Sequence, residues 1–156
     1  MNIFPENMQA KHERECQLLT ENALECIWTY DIGTEKFTYV SPSVIRLRGF
    51  TVDETMRQSL ADMMPQDSLD KANNTTKLLM ERYQNGERQS TMLSLTGDFE
   101  LYCKDTSIKQ VEITVKLLHD EESDSFEILG VSRDITERKR LEEQLSQAIE
   151  VKNNVI

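Results

Sequence analysis

The chain is poor in the residues that most often announce chemistry. It holds only 3 cysteines and 2 histidines in 156 residues. Cys16, Cys26 and Cys103 are an odd number without Cys-x-x-Cys spacing. That argues against a disulfide framework and for reduced thiols in a cytoplasmic protein. His12 and His119 lie far apart in sequence, and neither belongs to a His/Cys cluster at metal-ligand spacing. The 5 glycines form neither a phosphate-cradling loop nor a Gly-x-Ser-x-Gly elbow, and no Cys/His pair lies close in sequence. Nucleophilic catalysis therefore has no support, and the segment reads as non-catalytic. No apolar run approaches the ~20 residues that span a bilayer. The opening Met1-Asn2-Ile3-Phe4-Pro5 lacks the basic cluster and apolar segment of a secretory signal. Basic residues are outnumbered, 18 Lys and Arg against 28 Asp and Glu, for a net charge of -10. Such a chain is a poor partner for nucleic acid or an anionic membrane.

What is present describes one folded domain with length left for extensions. Hydrophobic residues at 38% supply a core, and charged residues at 29% supply a solvated surface. Residues 1–16 read as a polar leader, and Gln17–Glu25 as a short helix. Trp28, Tyr30 and Ile32 alternate on one face of a first strand, and Phe37–Ser41 makes a second after a turn at Gly33–Lys36. Ser41-Pro42 reads as an N-cap followed by a first-turn proline, and Gly49 as a helix stop. Thr51-x-x-Glu54 is a capping-box pattern. Met63-Met64-Pro65 is a break, and Gln66–Gln84 follows as a longer amphipathic helix ended by Asn85-Gly86. Three strands come next, around Phe99–Cys103, at Val111–Leu117 and at Phe126–Asp134. The run Asp120-Glu121-Glu122-Ser123-Asp124 lacks the glycine and alternate spacing of a calcium loop and reads as a solvated turn, with His119 exposed beside it. From Thr136 onward the pattern is helical. Strands at both ends with helices between argue for an antiparallel sheet with helices on one face, the α+β class.

In that order the sequence resembles a PAS domain with its PAC segment, of the S-box sensory family, over roughly residues 17–136. The resemblance rests on "LLTENALECIWTYDIGTEKFTYVSPSVIRLRGFTVDE" from Leu18 to Glu54, on "MMPQDS" from Met63 to Ser68, on the last three strands, and on "GVSRDITERKRLEEQL" from Gly130 to Leu145. It implies a five-stranded antiparallel sheet in the order 2-1-5-4-3, whose inner face and helices enclose a small core or cavity. It also implies a sensing or dimerising role within a larger signalling protein, but fold alone does not choose the signal.

Flavin- and haem-binding members of the family set a test. The flavin class has a reactive cysteine in a region comparable to "SLADMMPQDS", which has none. It presents paired Asn side chains at positions falling near Leu101 and Val111 here, and a Gln where Ser132 stands. Leu101 and Val111 cannot pair the polar edge of a buried flavin. Haem-binding members place a ligating His on the long helix, and Gln66–Gln84 has none. No cofactor is expected, and an unidentified small organic ligand is the alternative to a filled core. The candidate lining is Trp28, Tyr30, Leu101, Ile113, Val115, Ile128, Gly130 and Ser132. Gly130 is singled out because a glycine in a central strand leaves space above it for a ligand or a neighbour's ring.

The exit helix, 137–156, carries Leu141, Leu145, Ala148, Lys152 and Val155 at 4-3-4-3 spacing, a heptad stripe with a lysine in the seam. The expectation is a parallel coiled coil in a homodimer, leading toward an effector in the same polypeptide. A histidine kinase is the first choice of effector, then a diguanylate cyclase or chemoreceptor-type protein. The relay residues are Arg133, Asp134, Thr136 and Glu137, with Asp134 and Glu137 completing a capping box. The alternatives are a filled-core PAS domain that only spaces or dimerises, and a metabolite sensor.

Overall fold

The computed structural model describes residues 25–154. The leader, nearly all of the helix expected over Gln17–Glu25, and Val155 of the heptad stripe lie outside the described residues. The elements are β1 (Glu25–Asp31), β2 (Lys36–Val40), α1 (Val44–Arg48), α2 (Val52–Arg57), α3 (Leu60–Met63), α4 (Gln66–Gln84), β3 (Ser94–Tyr102), β4 (Ile108–Asp120), β5 (Ser125–Asp134) and α5 (Thr136–Asn154). The five strands form one antiparallel sheet in the order β2-β1-β5-β4-β3, as the resemblance implied.

Period-two alternation sorts the side chains to two faces. Register aligns the inner face in rows. Cys26, Ser132 and Ile113 form one row, Trp28, Gly130 and Val115 the next, and Tyr30, Ile128 and Leu117 the third. Val44, Leu47, Met63, Met64 and Leu79 of the helical segment pack on these rows to make the core. The outer face carries a charged row, Glu25, Arg133, Glu112 and Asp98.

Local chemistry explains the helices. Gly49 ends α1 with φ +82 and donates its N–H to the Ile45 carbonyl, a left-handed cap that a side chain would strain. Thr51 and Glu54 form the expected capping box, and Ser59 and Asp62 form a second one that opens α3. Ser41 does not cap. The helix starts at Val44, and buried Ser41 instead accepts the Ile27 N–H at 2.9 Å through its hydroxyl. Its own N–H donates to the Ile27 carbonyl at 2.8 Å, so Ser41 extends the β1–β2 pairing past the strand.

His119 is not an exposed turn residue. Its ring centroid lies 4.4 Å from Phe126 and 5.1 Å from Tyr83. Its Nδ1 meets the Tyr83 hydroxyl at 2.7 Å and its Nε2 meets Asp124 at 2.8 Å. This cluster ties the end of α4 to the β4–β5 hairpin.

Gly130 is the most crowded of the glycines. A Cβ built there would overlap the indole of Trp28, which lies over it from the neighbouring strand. Gly130→Ala should therefore destabilise the fold by about 1–3 kcal/mol through overpacking. In a Trp28→Leu background the penalty should shrink, because the clash partner is gone. Urea denaturation of the four proteins checks this, and an unchanged penalty would place the strain elsewhere.

Candidate functional site

Between the sheet's inner face and helices α1–α4 the core is not filled. A cavity of about 90 Å³ remains. A single water needs only ~10–15 Å³ of such space, so this is well beyond a packing defect. Trp28, Tyr30, Leu101, Ile113, Val115, Ile128 and Ser132 all line it. Gly130 does not. The space above it is taken by Trp28, whose ring itself forms the wall.

The opposite wall was not visible in the strand pattern. Val44, Leu47 and Arg48 of α1, Thr55 of α2, Leu60 and Met63 of α3, and Ala72, Thr75 and Thr76 of α4 close it. The i, i+3, i+4 spacing of Val44, Leu47 and Arg48 is the signal that would have put Arg48 on the buried stripe. The wall is otherwise hydrocarbon, aromatic and thiol, with few polar atoms. The Trp28 indole Nε1–H donates to Ser132 Oγ at 2.9 Å, which satisfies it inside the core. Trp28 and Tyr30 each meet Phe37 edge to face, at 5.8 and 5.1 Å between centroids.

Burial pushes the Cys26 thiol up from its ordinary pKa, against the Ser41 hydroxyl and the Arg48 charge, so it stays protonated and a poor nucleophile. Cys103 is buried but absent from the wall. Val111, fully buried, is also outside it. Among the described residues no group of three His, Cys, Asp or Glu side chains is placed to hold a metal ion. No helix among them is long and apolar enough to cross a membrane.

From Ser132 in the wall, β5 reaches α5 within four residues. The joint is pinned to the start of β4. Ile135 donates its N–H to the Gln110 carbonyl at 2.9 Å, and the Thr136 hydroxyl accepts the Gln110 N–H at 3.3 Å. Asp134 Oδ1 accepts the Thr136 N–H at 2.9 Å, and its Oδ2 lies 3.3 Å from Lys109. Burial raises the Asp134 pKa, but the Thr136 bonds and the Lys109 charge outweigh it and hold the carboxyl below its ordinary value. The capping box does not form, because Glu137 turns outward to Arg140 at 2.5 Å rather than back to Asp134. Arg133 faces away from the cavity and pairs with Glu25. The first turn of α5 is also tied to the sheet by Lys139–Asp98 at 2.8 Å and Arg138–Glu112 at 3.5 Å. Farther along, Leu141 and Leu145 are 52% and 62% exposed, Ala148 is exposed, and Ile149 joins them at 50%.

A family model described as the PAS fold matches residues 14–135. A sensory box histidine kinase/response regulator from Burkholderia thailandensis superposes with a TM-score of 0.66 at 16% identity, over 89% of this chain and 98% of that one. A PAS domain from Colwellia psychrerythraea gives 0.60 at 15% identity, over 83% and 98%. The N-terminal domain of a diguanylate cyclase with PAS/PAC sensor from Marinobacter aquaeolei gives 0.55 at 16%, over 74% and 98%. Comparison with curated proteins gives no match.

Trp28 is the only tryptophan, so its emission reads the cavity directly. Ser132→Ala should leave its part-buried N–H without an acceptor. The expected cost is about 1–3 kcal/mol in urea denaturation, with a blue-shifted emission maximum. Unchanged emission and stability would mean the indole finds another acceptor.

Proposed function

The chain belongs to the PAS family, and we propose that it is the sensory and dimerising module of a signalling protein, passing the state of its cavity through α5 to an effector in the same polypeptide. The observation that carries this reading is continuity. Ile128 and Ser132 are cavity wall, and the same strand becomes α5 after Ile135 with no glycine or proline in the joint. A ligand that binds one arrangement of the wall better than another shifts the population of both. The joint is stiff enough to carry that shift, because backbone and side-chain bonds hold it to Gln110 and Lys109. The effector we favour is a histidine kinase, and the alternative is a diguanylate cyclase. Both kinds of protein occur among the structural neighbours.

We assign neither flavin nor haem to the cavity. Leu101 and Val111 offer no groups to pair a flavin edge. His119, the histidine among the described residues, is occupied with Tyr83 and Asp124 outside the wall.

The exposed stripe Leu141, Leu145 and Ala148 is assigned to a second copy of this chain as a parallel coiled coil. Leu145→Asp should convert the dimer to monomer in sedimentation equilibrium while leaving the denaturation midpoint of the core unchanged. A wild-type chain that sediments as a monomer with α5 intact would remove the dimer from the proposal.

Asp134→Ala should remove the bond to Thr136 N–H at a local cost of about 0.5–2 kcal/mol. Amide exchange at the start of α5 should quicken while β1 and β4 keep their protection, and the full-length protein should lose its response to its signal. The depressed Asp134 carboxyl makes the same point with acid. Its stabilisation is present above the unfolded carboxyl pKa of about 3.9 and is lost as pH falls through the lower folded value. A full-length D134A protein that responds normally would contradict the relay.

A further inference from the structure

One polar group in the cavity wall is left over. Arg48 is only 2% exposed. Its Nε donates to the Tyr102 carbonyl at 3.0 Å and its Nη1 to Gln58 Oε1 at 3.0 Å. Its Nη2 is buried and has no partner among the described residues. The guanidinium lies 4.8 Å from the Phe50 ring centroid, and no ion pair with a carboxylate neutralises it among those residues. Burial pulls its pKa down from the ordinary value. A buried cation with unused donors is costly unless something pairs it. Folding has nonetheless placed it in the wall of a cavity that is otherwise apolar.

Arg48 is the single charged residue in that wall. One cation matches one anionic group, and a second carboxylate or a phosphate dianion would be stranded against hydrocarbon. The guanidinium fork suits a carboxylate, and Nη2 has two N–H groups to offer. A cavity of ~150 Å³ takes the six carbons of benzene, so about 90 Å³ sets the scale at roughly three to four carbons. We infer that the cavity is a receptor site for a compact organic monocarboxylate, its carboxylate accepting from Arg48 Nη2 and its hydrocarbon body filling the apolar remainder. This rests on the reading of the cavity as the sensory site and names the chemical class it senses.

The experiment compares propionate with propionamide, a neutral molecule of nearly the same shape, by calorimetry and by Trp28 emission. The acid should bind at least ten-fold more tightly than the amide. Arg48→Gln should abolish that preference, and Arg48→Lys should retain part of it. Equal affinities in the wild type would overturn the carboxylate assignment while leaving the cavity as a receptor. A preference that persists in folded R48Q would overturn the role of Arg48. If neither probe binds, the receptor reading falls together with the ligand class. Should R48Q not fold, judged by circular dichroism, the wild-type comparison of acid and amide decides alone.

Discussion

The indole of Trp28 resting on Gly130 is the contact on which the rest of this domain depends. The ring fits there only because position 130 has no Cβ. Its N–H is tolerable in the core only because Ser132, two residues along the same face, accepts it. Both partners belong to β5. One aromatic side chain on β1 thus couples the backbone and a side chain of the central strand to the cavity wall. Phe37 holds the ring from the other side, edge to face. Moving the indole changes what the cavity offers, and a ligand that moves it acts on β5.

Strand β5 pairs with β1 on one side and β4 on the other, so its centre is held firmly. Its C-terminal end is held differently, through Ile135 and Thr136 to Gln110 and through Asp134 to Lys109. The ion pairs outside, Lys139–Asp98 and Arg138–Glu112, are half-exposed and screened by salt, so each contributes little alone. What they do is orient the first turn of α5 against the sheet. Beyond that turn no such anchor to the sheet holds the helix among the described residues, and its apolar stripe is exposed.

Much of the fold was legible because strong periodicity leaves few alternatives. Val111–Leu117 alternates strictly and is the centre of β4. Thr51-x-x-Glu54 and Gly49 act where their chemistry says they should. The misses have physical reasons. Strand β3 starts at Ser94, earlier than its pattern suggested, because Thr96, Gly97 and Asp98 dilute the alternation while the ladder to β4 continues through them. Ser41 looked like a cap because serine before proline so often is one, but the register with Ile27 claimed its hydroxyl. His119 looked exposed beside acidic residues, and only the fold brings Tyr83 to it. The sheet side of the cavity could be named from alternation. The helix side could not, since three short helices and one face of α4 contribute one or a few residues each. Arg48 does not stand out in the sequence, because a charged residue before a glycine cap usually faces water.

The central claim is that the filling of the cavity is felt at the start of α5 through β5. It can be tested without knowing the ligand, because xenon enters apolar cavities. Backbone amide chemical shifts would be recorded with and without xenon pressure. Perturbations running from Ile128 through Ser132 and Ile135 to the first turns of α5 are the predicted result. Perturbations confined to α1–α4 and the wall, with Ile135 to Leu141 unmoved, would contradict a relay through the strand.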